Sequence, residues 1–169
     1  MSAIDILDLR PFNVTCGVPD FSRAANGYSV CDAILGNQPL YVKLKGYVVG
    51  GLYNTYTPET FMLELDEFSI EKLEEVEQQF ANQFKKELVN HPFKSCFVES
   101  MQQQKLVRLK LPIDKRSGMY DFETTLVPNE AVRHITNGRL IFAEVAVKFY
   151  VSKERSGLFF AMEKLMILT

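Results

Sequence analysis

Leu40-Tyr41-Val42-Lys43-Leu44-Lys45-Gly46-Tyr47-Val48-Val49 alternates between two kinds of side chain. Leu40, Val42, Leu44 and Val48 fall on one side, and Tyr41, Lys43, Lys45 and Tyr47 fall on the other. A β-strand has a side-chain period of two, so the stretch predicts a half-buried strand whose outer face is aromatic and basic. Gly50-Gly51 ends or bulges it. Asn54–Pro58 then reads as a turn, and Thr60–Leu65 as the next strand.

The period changes after Leu65. Ile70, Leu73, Val76, Phe80, Phe84 and Leu88 recur every three or four residues, which lines one face of a helix over 69–90. Ser69 is the expected N-cap, with Phe68 stapled onto Leu73. Glu71, Glu74, Glu75 and Glu77 crowd the first half and Lys85 and Lys86 the end, as the helix dipole favours. Asn90-His91-Pro92 stops the helix.

Strand patterns return beyond it. Phe93–Glu99 is a weak one. Lys105–Leu111 alternates and is expected to pair with Met119–Val127 as a hairpin around the turn Asp114–Gly118. A short helical turn is expected within 128–137. Arg139–Val151 reads as a long strand with Phe142, Glu144, Lys148 and Tyr150 on its polar face. It turns at 152–157 into a closing strand, 158–168. Before residue 39, Pro11, Gly17, Pro19, Gly27, Gly36, Asn37 and Pro39 punctuate the chain too often for long elements, apart from a short strand near 12–15. Segment 1–38 is thus expected to be irregular. Many strands around one helix predict a mostly β domain, an antiparallel β-barrel with a helix packed on it.

The chain has 169 residues, of which 47% are hydrophobic, enough to build one core without disulfides. Its apolar runs fall well short of the ~20 residues of a membrane helix. The opening residues include Asp5 and Asp8 and lack a signal-peptide pattern, so an intracellular location without membrane partners is expected. Cys16, Cys31 and Cys96 read as reduced thiols. The formal net charge of −2 conceals an asymmetry. Residues 1–84 hold 5 Lys and Arg against 12 Asp and Glu, while residues 85–169 hold 14 against 9. The second half therefore carries the basic footprint.

Catalytic chemistry finds little to work with. His91 reads as part of the helix stop and His134 as a surface residue, and neither lies in a nucleophile–base motif. The cysteines lack metal-ligand spacing. Gly50-Gly51 lacks the Lys-Ser/Thr and helix of a phosphate loop. Glu64, Asp66 and Glu67 precede a helix start, where acids are favoured in any case. No enzyme activity, cofactor or metal is expected.

One constellation is left. Binding a nucleic-acid single strand takes aromatic planes for bases and cations for phosphates, interleaved on an open surface. Tyr41, Lys43, Lys45 and Tyr47 share one strand face. Arg108 and Lys110 share another and lead into Lys115, Arg116 and Tyr120. Lys148 and Tyr150, with Phe142, share a third and lead into Lys153 and Arg155. The 13 Phe are mostly core residues, but Tyr41, Tyr47 and Tyr150 each lie opposite an aliphatic row.

The run Val107–Leu126 followed by Asn137–Leu168 resembles the OB-fold single-stranded DNA-binding proteins of large DNA viruses and phages, which are in turn similar to the single-strand-binding subunits of replication protein A. Lys105, Arg108, Lys110, Gly138, Phe149, Tyr150 and Gly157 carry the resemblance, which covers about 104–168. Strand 40–49 is compatible with the first barrel strand. The chain lacks Trp, a favoured stacking residue. The resemblance implies a single OB-fold-like domain over 1–169. It further implies a protein that coats single-stranded DNA in replication, recombination or repair, with RNA as a second candidate strand. Self-association and contacts with replication or recombination proteins would accompany that role. The competing expectation is a structural or protein-interaction module, such as a virion or assembly component, whose exposed rows form a subunit interface.

Overall fold

The computed structural model describes residues 3–50, 52 and 59–167. The strands are β1 (Ile4–Asp5), β2 (Val14–Cys16), β3 (Tyr28–Leu35), β4 (Gln38–Pro39), β5 (Tyr41–Val49), β6 (Thr60–Glu64), β7 (Phe97–Glu99), β8 (Lys105–Lys110), β9 (Glu123–Thr124), β10 (Leu140–Ser152) and β11 (Ser156–Ile167). The helices are α1 (Phe21–Ala24), α2 (Glu67–Gln83) and α3 (Pro128–Val132). No helix among the described residues is long and apolar enough to cross a membrane. The turn expected at 54–58 lies outside the described residues.

The pairing path closes on itself. β5 pairs β6, β6 pairs β8, β8 pairs β11, β11 pairs β10, and β10 returns to β5. All of these pairs are antiparallel except β8–β11, which is parallel. The expectation of a wholly antiparallel arrangement is corrected here. A ring with an odd number of strands cannot alternate direction throughout, so one neighbouring pair must run parallel. Val42, Leu44, Phe61, Leu63, Val107 and Leu109 point into the ring and are fully buried. The core gathers around Phe149, whose ring lies 5.5 Å from both Phe80 and Phe84 and 6.2 Å from Phe93. Burying one such ring stabilises the fold by about 1.5–3 kcal/mol.

Helix α2 starts earlier and ends earlier than its apolar period suggests. Asp66 is the N-cap, its Oδ1 accepting the Ser69 N–H at 2.7 Å. Asp caps as well as Ser and adds a negative charge at the helix's positive pole. Ser69 is therefore buried in the first turn, and Phe68, 69% exposed, does not staple onto Leu73. The helix gives way at Phe84, and a 3-10 turn follows at Glu87–Val89. His91 does more than stop a helix. It is buried, its Nδ1 lies 2.5 Å from the Ser152 carbonyl oxygen, and its own carbonyl accepts the Ser156 hydroxyl at 2.8 Å. His134 is exposed, as expected.

Two segments depart from expectation. The N-terminal part is not irregular throughout: β3 runs eight residues, pairing β10 through Tyr28–Asp32 and β2 through Ala33–Leu35. Its inward side chains include Ser29, Cys31 and Ala33, too small and polar to register as an apolar row. The hairpin expected from 105–111 and 119–127 is reduced to its tip, a single antiparallel bridge between Ile113 and Tyr120. Beyond the tip the chain crosses over, and β9 pairs β11 in parallel at Lys164 and Leu165. Pro112 has no N–H to extend a ladder from β8, which ends before it.

Glu77 faces inward from α2 and holds the following segment against the helix. Its carboxylate accepts the Cys96 N–H at 2.6 Å and the Ser95 hydroxyl at 3.2 Å. Burial pushes its carboxyl above the ordinary value, against the opposing pull of those hydrogen bonds. A carboxyl raised in the folded state binds more protons folded than unfolded. Its contribution is full below the unfolded value and is lost as pH rises through the folded one. Glu77→Gln is therefore expected to become more stable relative to wild type as pH rises through the range just above the usual carboxylate value. Urea melts of both proteins across that range check this, and a stability difference independent of pH would contradict it.

Candidate nucleic-acid interface

The outward side chains of β5, β10 and β11 form one face, and strand register fixes its rows. Tyr47 lies opposite Leu140, and Lys45 opposite Phe142, which is opposite Met166. Lys43 lies opposite Glu144, which is opposite Lys164. Tyr41 lies opposite Ala146, then come Ala161 on β11 and Lys110 on β8. Along the same strand, Lys148 sits between Asp32 and Phe159, Tyr150 between Val30 and Gly157, and Ser152 lies beside Tyr28. β10 thus acts as a spine. Its 13 residues span roughly 40 Å at the strand rise.

The rings along this spine differ in accessibility. Tyr47 is 52% exposed, whereas Tyr41, Phe142 and Tyr150 are half-buried. The Lys45 ammonium lies 5.5 Å from the centre of the Phe142 ring, a cation–π arrangement. The Tyr150 ring rests over Gly157. A Cβ there would come within 3.2 Å of the Tyr150 hydroxyl and 2.7 Å of the Lys94 carbonyl oxygen. Burial pushes the Tyr150 hydroxyl up, partly offset by nearby Arg155.

The cations fall into two groups. Lys148 Nζ contacts Asp32 Oδ1 at 3.1 Å, and Lys164 Nζ contacts Glu123 at 3.4 Å and Glu144 at 3.8 Å. Such surface pairs are worth about 0–1 kcal/mol, so either lysine can leave its carboxylate at little cost. Lys43, Lys45 and Lys110 are exposed and form no ion pair among the described residues.

The other sequence-predicted residues are placed less centrally. Arg108 is exposed one pleat before Lys110, opposite Met62 of β6. Lys115 and Arg116 are exposed on the turn 114–118, outside the rows. Tyr120 also lies outside them, half-buried and edge-on to Phe122 at 6.4 Å. Burial and nearby Glu59 push its hydroxyl up. Lys153 and Arg155 are exposed at the far end of the spine, where β10 turns into β11.

Lys164, Met166 and Tyr28 join the face without having been singled out in the sequence. Glu163 forms a bulge opposite Glu144 and Val145, which breaks the alternation along β11 and hides its outer row. Tyr28, 64% exposed, belongs to the strand that lacked an apolar pattern. Burial pushes the Cys16 thiol up to about 12 and raises those of Cys31 and Cys96 as well.

No family model matches the chain, and no curated protein matches it. Among solved structures, the crystal structure of gp2.5, a single-stranded DNA-binding protein encoded by bacteriophage T7, is similar at a TM-score of 0.40 and 10% identity, over 75% of this chain and 85% of that one.

Proposed function

We propose that the chain is an OB-fold-like protein that binds and coats single-stranded DNA, as in replication, recombination or repair, with the strand lying along β10. The closed five-strand path with one long helix supports the fold reading. The observation that carries the function is the row structure of the outer face: the rows that hold Tyr47, Phe142 and Tyr41 each have a lysine on the same or the next row, and Lys45 sits over Phe142. Tyr47, Phe142, Tyr41 and Tyr150 serve as stacking platforms. Lys43, Lys45, Lys110, Lys148 and Lys164 neutralise phosphates, and Lys153 and Arg155 extend the track. Lysine interleaved at this density suits a hydrated polyanion better than the dry core of a protein interface. Cooperative coating would bring copies of the chain side by side on the strand.

The test is an anisotropy titration with a labelled single strand and its duplex over a series of salt concentrations. Each phosphate contact contributes about −0.7 to the log–log salt slope, so engagement of the five lysines gives a slope near −3.5. Single strand is expected to bind well ahead of duplex, because stacking needs unpaired bases. Equal affinity for both, or a slope near zero, would overturn the proposal.

A further inference from the structure

We propose that a cavity on this face, bounded by β5, β9, β10 and β11, receives one base of the bound strand and favours cytosine over thymine. The inference rests on the reading that the face binds a single strand, and it adds a sequence preference to it. The cavity measures about 370 Å³. That is within the ~300–1,000 Å³ of ordinary small-molecule pockets.

Its construction follows from the register. Phe142 and Met166, neighbours on one row, supply a ring and a thioether for the flat face of a base. The next row supplies Lys43, Glu144 and Lys164, and β9 raises a wall at Thr124. A base in the cavity would leave its phosphate beside Lys43 and Lys45, so polymer charge and base are both accommodated.

The chemistry of the acceptor sets the preference. An ionised carboxylate only accepts hydrogen bonds. Glu144 has the more enclosed carboxylate, its side chain 26% exposed against 71% for Glu123, and its ion pair with Lys164 is long at 3.8 Å. Glu144 lines the cavity, and the long ion pair leaves its carboxylate capacity to accept another hydrogen bond. Cytosine presents an N4 amino group, which donates to such a carboxylate. Thymine, of similar size and stacking surface, presents O4 at the same position and sets one acceptor against another. One such contact is expected to separate the two bases by about tenfold in affinity.

The experiment measures binding of oligo-dC and oligo-dT at one salt concentration, for wild type and for Glu144→Gln. Wild type is expected to bind oligo-dC about tenfold more tightly. Glutamine can donate to O4 as readily as it accepts from N4, so the ratio is expected to fall towards one in Glu144→Gln. Equal binding of both oligomers by wild type would overturn the inference while leaving single-strand binding intact. A preference unchanged in Glu144→Gln would overturn it as well. Failure to bind either oligomer would overturn the underlying reading instead.

Discussion

Gly46→Ala is expected to lose about 3 kcal/mol or more of folding stability, near the upper end of what overpacking costs. Gly46 occupies an inward position of β5 between Leu44 and Val48, opposite Ile141 of β10. A Cβ there would come 2.4 Å from the Glu64 carbonyl oxygen and 2.9 Å from Leu63 Cγ. The first of these neighbours is backbone, held by the β5–β6 ladder at Tyr47 and Glu64, so it cannot swing aside as a side chain would. This is where β5, β6 and β10 come together to close the ring, and a methyl group would force them apart. Gly17→Ala is the control. Nothing lies within 4 Å of a Cβ at that position, and a change within about 0.5 kcal/mol is expected. Urea unfolding of the two variants checks the contrast, and two equally mild losses would mean that the ring tolerates extra volume at Gly46.

Periodicity made β5, β6, the middle of α2, and the β10–β11 hairpin legible, because each has a one-sided apolar row at the period of its element. The misreadings have local causes. β3 turns Ser29, Cys31 and Ala33 inward, of which only Ala33 is fully buried, so its inner face does not look apolar. By pattern Ser69 opens α2, but Asp66, three residues earlier, competes equally well and holds the cap. Alternation places Leu106 outward with Arg108 and Lys110, yet it is buried, with β7 paired alongside it at Val98. The face itself was only half visible. Alternation identified Tyr41, Lys43, Lys45 and Tyr47 as one row, but it carries no information on register. That Lys45 meets Phe142, or that Lys110 shares a row with Tyr41, follows only from how separate strands are aligned. Gly46 interrupts the apolar row of β5, and a glycine inside a strand often marks a close backbone approach.

The second large effect concerns binding. Tyr47 and Phe142 lie on adjacent rows at one end of the spine, with Lys45 opposite Phe142 and two residues before Tyr47 on β5. Stacking on an aromatic ring contributes roughly 1–3 kcal/mol per base, so under the proposed function Tyr47→Ala and Phe142→Ala are each expected to cost at least several-fold in affinity, and the double variant more than either. Each 1.4 kcal/mol is about tenfold. The two losses need not add, because neighbouring rings that stack consecutive bases are energetically coupled. Stability should change little at Tyr47, which is half-exposed. Tyr150→Ala behaves differently: its ring covers Gly157, so it is expected to lose stability as well as affinity. Lys45 stays available to phosphate in every variant, so the salt slope should remain near the wild-type value while the affinity falls.

The decisive measurement is the affinity of a labelled single strand for wild type and for the folded Tyr47→Ala/Phe142→Ala double variant, taken across salt concentrations. A large, salt-independent drop in affinity with an unchanged slope is the predicted result. Equal affinities would contradict the claim that a single strand stacks along the outer face of β5 and β10.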